Sequence, residues 1–426
     1  MVTASLPHYH HRAPIHKRSL PHNANDMLAT SMPFTRREFI GVLGVSAAVR
    51  AAGTSRTLIL ISESDAARMR AALTPRRTAL LKRHAAAALA AGPWSVTTHR
   101  PSGLNVNAGP HDYVSEGPYW WPDPKNPAGP YIRKDGQRNP QRFMGNRGDL
   151  GNMCTAVLAL GMGAFFLKQP ACAGRAALAL STWFLDPQTR MNPNLEHGQM
   201  VRGHNTGRGT GIIDTVSFIH VVQGVTLLEL AGGLDPAVAS GVRQWFAAYL
   251  HWLTTSRNGL DEKSSGNNHA TWWTAQAAAY AAFTADAAIQ SMCWEHYRNY
   301  LVPTEIQPDG SCPREEARTN SLGYSSMNLD AFATVCRLAQ MDAVDLWHFR
   351  TAKGIGVEKS FYYLIPFVQH PDTWKHRQIS RYSPDGYVFP GLAGIGLPSP
   401  SLLAAYEELP NSDSPWVQFV DMLVRS

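Results

Sequence analysis

Cysteine is scarce in this sequence, and the few present form no motif. Cys154, Cys172, Cys293, Cys312 and Cys336 are odd in number among 426 residues, widely spaced and without a CxxC pair. That excludes a zinc ribbon and a thioredoxin-type redox centre, and buried free thiols are the expectation. Charge is also thin, at 17% against 44% hydrophobic residues, which is the balance of a packed globular enzyme and not of a disordered chain. Closely spaced His, Asp and Cys ligands are missing, so neither a metal nor another cofactor is expected. The glycine-rich stretch at 198–211 lacks the Gly-Lys-Ser/Thr ending of a phosphate loop, and no strand signal precedes it.

A general positive field is lacking too, despite a formal net charge of +7. Seven of the 39 Lys and Arg residues, but two of the 32 Asp and Glu residues, fall within residues 1–56. The remainder is close to neutral. Nucleic acid is therefore not an expected partner, and attraction for any anionic polymer must come from a local cleft.

The charged leader has its own pattern. Arg36-Arg37 directly precedes the apolar run Gly41–Val49, followed by small residues to Gly53. This is a twin-arginine export signal, and the run is too short to act as a membrane anchor. Residues 1–53 are read as the leader, with Met27 and Met32 as alternative starts, and 54–426 as a single domain delivered to the periplasm or beyond the cell. A chain of this length buries a sizeable core.

After the leader, Ser62–Leu73 reads as a capped helix and 77–91 as a second, Ala-rich one. Residues 92–146 then lose helical period and fill with Pro, Gly, Asn and aromatics, a long ordered loop of the kind that carries function. From 149 onward helix-length apolar segments recur at 149–168, 172–185, 212–232, 235–254, 268–286, 288–301, 325–340, 354–368, 398–408 and 413–425. Helices apolar on more than one face pack in layers. The predicted fold is all-α, an (α/α) toroid or incomplete barrel of helical hairpins, with long loops over a central cleft.

Four loop-centred groups carry chemistry. Tyr119-Trp120-Trp121 stands between prolines, a stiff aromatic surface suited either to stacking on sugar rings or to wedging the loop onto the helices. His204, Asn205 and Arg208 lie in the glycine-rich stretch, where a helix start and a guanidinium suit a carboxylate, or Asn205 simply caps the next helix. Asn267-Asn268-His269 opens an Ala-rich helix containing Trp272; one Asn of the pair is a natural cap, while His269 stands beside amide donors. Last, Arg318 precedes Tyr324 by six residues across an Asn-Ser-Leu-Gly interruption. An Arg near a Tyr favours phenolate and lowers its pKa toward that of a usable base.

Together these segments, from about Tyr113 to Gln378, resemble the alginate-lyase domain of bacterial polysaccharide lyases. The likeness rests on Tyr-Trp-Trp-Pro-Asp-Pro, Gly-Arg-Gly-Thr-Gly-Ile-Ile-Asp, Asn-Asn-His-Ala-Thr-Trp-Trp and Glu-Glu-Ala-Arg-Thr-Asn-Ser-Leu-Gly-Tyr-Ser. It implies an (α/α) toroid that cleaves an anionic uronic-acid polysaccharide by β-elimination. Asn268, His269 and Arg318 would neutralise the sugar carboxylate, and Tyr324 would move protons as base and acid. Tyr119, Trp120, Trp121, His204, Asn205, Arg208 and Trp272 would contact the polymer. The Arg-to-Tyr spacing is one shorter than in the mannuronate-specific lyases of family five. The likeness is closer to family thirty-eight, whose members act on glucuronan as well as alginate. Two alternatives stay open: a hydrolase on the same toroid, using two carboxylates among Asp123, Glu196, Asp214, Glu315 and Glu316, and a non-catalytic uronan-binding protein.

Overall fold

A computed structural model of the chain describes residues 58–426, apart from 105 and 411. The segment read as a twin-arginine leader lies outside the described residues. Sixteen α-helices follow one another: α1 (Glu63–Ala71), α2 (Pro75–Ala90), α3 (Gly145–Leu167), α4 (Pro170–Leu180), α5 (Phe218–Leu230), α6 (Pro236–Thr255), α7 (Arg257–Lys263), α8 (Asn268–Thr284), α9 (Ala287–His296), α10 (Val302–Glu305), α11 (Pro313–Glu316), α12 (Ser321–Met341), α13 (Val357–Gln369), α14 (Phe389–Gly396), α15 (Pro400–Glu408) and α16 (Pro415–Val424). The fold is the expected incomplete helical toroid.

Its inner layer is the set of helices that are apolar all round. α3, α5, α8, α12 and α14 pack in succession, and α16 lies between α14 and α3. α2 and α4 cover α3 from outside, α6 and α9 cover α8, and α13 covers α12. Two apolar stretches, Gly145–Leu167 and Gly209–Leu230, are long enough to cross a membrane, yet each is 78% buried inside the protein, as core helices are. α3 and α5 cross with backbones almost touching. A Cβ on Gly161 would come within 2.6 Å of the Gly224 carbonyl oxygen, so only glycine permits this approach. The five cysteines are buried and unpaired.

One end of the ring is plugged by the segment entering α1. Ile59, Leu60 and Ile61 are buried, with the Leu60 N–H donating to Gln223 of α5 and the Leu60 carbonyl accepting from Arg337 of α12. The first turns of α3, α8 and α12 point to the other end. There, among the described residues, the long loop supplies three short strands, β1 (Val114–Glu116), β2 (Trp120–Trp121) and β3 (Ile132–Arg133), and the connection between α4 and α5 a fourth, β4 (His197–Met200). β1 pairs parallel with β4, and β2 pairs antiparallel with β3. These strands were not anticipated, nor were α7 and α14, which are short. The glycines at 198 and 211 serve close packing: a Cβ on Gly211 would overlap the Gly198 backbone.

A buried polar cluster joins α8, α10 and α12. Glu305 Oε2 accepts from Thr271 Oγ1 at 2.8 Å and from Asn328 Nδ2 at 3.1 Å. Among the described residues, Glu305 Oε1 and Asn328 Oδ1 have no partner. A protonated carboxyl supplies the donor that two orphaned acceptors side by side would otherwise lack. Burial, with the nearby Glu315 adding to it, pushes Glu305 up to about 8 from 4.5. A raised carboxyl pKa gives stability that is complete below the unfolded value and is lost as pH rises through the folded one. Glu305→Gln keeps every hydrogen bond without the titration. Wild type is therefore expected to lose stability relative to Glu305→Gln between pH 5 and 8, at up to about 1.4 kcal/mol per pH unit. Denaturant midpoints at the two pH values measure it, and parallel behaviour of the two proteins would show that Glu305 does not titrate in this window.

Candidate active site

Where the inner helices begin, a cleft of about 740 Å³ opens between the β2–β3 hairpin and the 378–387 segment. Its described lining includes Arg133, Arg138, Arg147, Arg208, Arg318 and Arg381 but a single carboxylate, Glu262. Helix N-termini add the positive ends of their dipoles at the same place. The near-neutral domain thus concentrates positive charge on one concave surface, the local arrangement that its composition required.

Asn267 is the cap of α8, its side chain accepting from the His269 N–H at 3.2 Å. The next turn consequently presents His269 to the cleft. His269 Nδ1 lies 2.6 Å from Glu262 Oε1, and Glu262 is itself buried on α7. Burial works against the charged ring, but the Glu262 carboxylate, helped by Glu315, outweighs it and raises the His269 pKa. With Nδ1–H held by a carboxylate, Nε2 is the atom left for a ligand.

Arg318 and Tyr324 converge as the helix break between α11 and α12 allows. The guanidinium lies 3.7 Å from the centroid of the Tyr324 ring, over its face. Its hydrogen bonds go to Asp135, at 2.8 Å from Nη2 and 3.2 Å from Nε. This corrects the expected electrostatics. Burial, then the neighbouring Tyr119, raise the Tyr324 pKa, and Arg318, hydrogen-bonded to Asp135, lowers it too little to reverse them. Tyr324 is a phenol in the free protein, donating to Tyr119 Oη at 2.5 Å.

Asn268 also differs from expectation. Its amide nitrogen donates to both Glu315 oxygens, at 2.9 and 2.8 Å, and its backbone N–H to Oε1 at 2.7 Å. What it leaves unpaired among the described residues is Oδ1, an acceptor, which does not suit a sugar carboxylate. Asn268 frames the site from beneath.

Of the residues expected to contact the polymer, Tyr119, Trp120 and Arg208 line the cleft, and Trp121, Trp272, His204 and Asn205 do not. Successive residues of a strand face opposite ways. Trp121 accordingly turns to the far side of the hairpin, under Lys134 at 5.0 Å, with its indole N–H on the Gln137 carbonyl. His204 packs behind Trp120 at 5.0 Å, and its Nε2 meets the Tyr131 carbonyl at 2.8 Å. Asn205 closes its own turn by accepting from the Val201 N–H, and Trp272 packs on the hydrophobic core. Sequence reasoning missed Glu262, Asp135, Arg147 and Arg381. None sits in a motif, and only their meeting across 262–269, 135–318 and the ring as a whole shows them.

The alginate lyase family model matches residues 97–374, which hold the cleft hairpin, His269, Arg318 and Tyr324. The chain belongs to the alginate lyase family. A crystal structure of an alginate lyase from Bacteroides ovatus superposes with a TM-score of 0.79 at 31% identity, covering 87% of this chain and 99% of that one. Alginate lyase A1-III complexed with a tetrasaccharide is 14% identical, with a TM-score of 0.59 over 86% of this chain and 95% of its own. The A1-III crystal structure from Sphingomonas species A1 gives 15% and 0.56, over 84% and 93%. These last two share the fold. No curated protein matches the sequence. Membership of the family makes the chain a polysaccharide lyase acting on an alginate-like polymer. Among the described residues no group of three or more His, Cys, Asp or Glu is placed to hold a metal ion.

Proposed function

We propose that this lyase depolymerises a uronan, glucuronan or mannuronate-rich alginate, by β-elimination, and that Tyr324 is its proton-transfer group. The observation that carries the reading is the convergence of the Tyr324 hydroxyl, the His269 imidazole and the Arg318 guanidinium on one cleft rich in arginine. The C5 hydrogen of a uronate is a poor acid because its removal places a second negative charge beside the carboxylate. His269 and Arg318 oppose that charge as it develops, which is where such stabilisation lowers a barrier. Tyr324, as a phenol, is ready to protonate the departing O4; to serve both steps on a syn-disposed sugar it must first give up its own proton, then take the C5 proton as phenolate and pass it to O4.

A second reading assigns C5 proton abstraction to His269. The raised Tyr324 pKa and the Glu262 carboxylate at Nδ1 favour it, and it suits sugars whose base and acid must stand on opposite faces. A hydrolase is disfavoured: Asp123, Glu196, Asp214, Glu315 and Glu316 are all outside the cleft lining, and Glu262 is committed to His269. Export by the twin-arginine route, with residues 54–426 as the delivered domain, belongs to the same proposal. Polymannuronate, polyguluronate, glucuronan and hyaluronan are each to be incubated with the protein. A lyase creates an unsaturated, ultraviolet-absorbing end, so new reducing ends without that absorbance would mean hydrolysis, and binding without either would mean a binding protein.

A further inference from the structure

The arginines of the cleft are not equivalent. Arg318 is already hydrogen-bonded to Asp135, whereas Arg147, on the first turn of α3, meets one protein carboxylate among the described residues, Asp214 at 3.5 Å. That is longer than a charge-assisted hydrogen bond. Asp214 is meanwhile satisfied by neutral donors: Tyr113 Oη at 3.1 Å, Ser115 Oγ at 2.6 Å and Gln199 Nε2 at 3.1 Å. Arg147 is thus held in place by charge while its N–H donors stay available, and its side chain is 35% exposed, toward the cleft it lines.

Arg208 hangs on the same frame. Its Nε and Nη2 donate to the carbonyl and side-chain oxygens of Gln199, both at 3.0 Å, and Gln199 in turn donates to Asp214. Gln199 adopts φ +46°, a left-handed conformation that costs a non-glycine residue energy and that packing must enforce. A strained glutamine bridging a buried carboxylate to a cleft arginine is a built arrangement. Among the described residues neither arginine is bonded to His269, Arg318 or Tyr324, and Tyr119, beside them in the cleft, joins Tyr324 through its hydroxyl.

We propose that Arg147 and Arg208, ordered together by Asp214, form a second carboxylate-binding position in the cleft, which takes the acid group of a uronate neighbouring the one that undergoes elimination. This rests on the uronan reading above and deepens it: the cleft recognises charge on two sugars of the chain and so requires an oligomer for full affinity.

The test uses saturated uronate di- and tetrasaccharides, each as the acid and with its carboxyl groups reduced to alcohols, binding being followed by calorimetry. Arg147→Met keeps the bulk and removes the donors. Its affinity for the acidic tetrasaccharide is expected to fall on the order of tenfold to a hundredfold. Carboxyl reduction should then cost the variant much less than it costs wild type, for the tetrasaccharide and for a disaccharide spanning both positions. Asp214→Asn, read the same way, reports whether the frame orders both arginines. Equal losses for acidic and reduced tetrasaccharides would overturn the proposal, as would a drop in kcat at unchanged KM. A variant that fails to fold is replaced by Arg147→Lys, which keeps the charge on Asp214 but not the fork, and is expected to show an intermediate loss. Absence of product ultraviolet absorbance from wild type would sink the elimination reading alone, since the binding cycle is read without turnover.

Discussion

Tyr324→Phe is expected to lower turnover by more than about a hundredfold while leaving the affinity for a uronan oligosaccharide nearly unchanged. Phenylalanine keeps the ring on which Arg318 rests and the packing at the start of α12. What it removes is one oxygen, the atom that donates to Tyr119 at 2.5 Å. If that oxygen returns a proton to O4, the departing chain must leave as an alkoxide, and the loss falls on kcat. Initial rates from ultraviolet absorbance, set beside calorimetric binding of a saturated tetrasaccharide, separate the two effects. Near-normal rates in the variant would remove Tyr324 from the mechanism, and a matched fall in affinity would make it a binding residue. The raised pKa bears on the interpretation. A phenol that burial keeps protonated has a proton to give and no free site to accept one in the free protein, so its contribution is expected first at the leaving group.

The contrast between Tyr324 and its arginine shows what the sequence could and could not convey. Helix positions were legible, because a buried helix writes its period into the chain: the segments read at 235–254 and 268–286 became Pro236–Thr255 and Asn268–Thr284. The cap role of one Asn in the 267–268 pair was legible for the same local reason. The meeting of Arg318 and Tyr324 was visible as a helix interruption, but the sign of its effect was not. That sign depends on Asp135, distant in sequence, arriving on the turn after β3 to bind the guanidinium. The choice between Trp120 and Trp121 was hidden similarly. Two adjacent tryptophans are indistinguishable until β2 pairs with β3 and turns one away. The hairpin itself was illegible because two-residue strands carry no usable alternation.

Glu262→Gln is expected to change the pH profile as well as the rate, and it separates the two roles open to His269. Glu262 holds Nδ1 at 2.6 Å, and its charge is what carries the His269 pKa upward against burial. Glutamine preserves a hydrogen bond but removes the charge, so burial then prevails and the pKa falls. If His269 acts as a cation opposing the charge of the sugar acid, activity needs the protonated ring and fades as pH rises through its pKa. The variant then loses its alkaline limb at lower pH, and at neutral pH turnover is expected to drop about tenfold or more, with KM rising because the bound carboxylate loses its counter-charge. If His269 instead abstracts the C5 proton, activity needs the neutral ring. The acid limb then moves to lower pH, while the plateau falls because the base is weaker. Profiles of kcat and kcat/KM for both proteins, on mannuronate and guluronate polymers separately, decide between them. The cationic role is the expected result on syn-disposed sugars, because the pair is built to keep the proton on the ring. Superimposable profiles would mean that Glu262 fixes only the orientation of the imidazole.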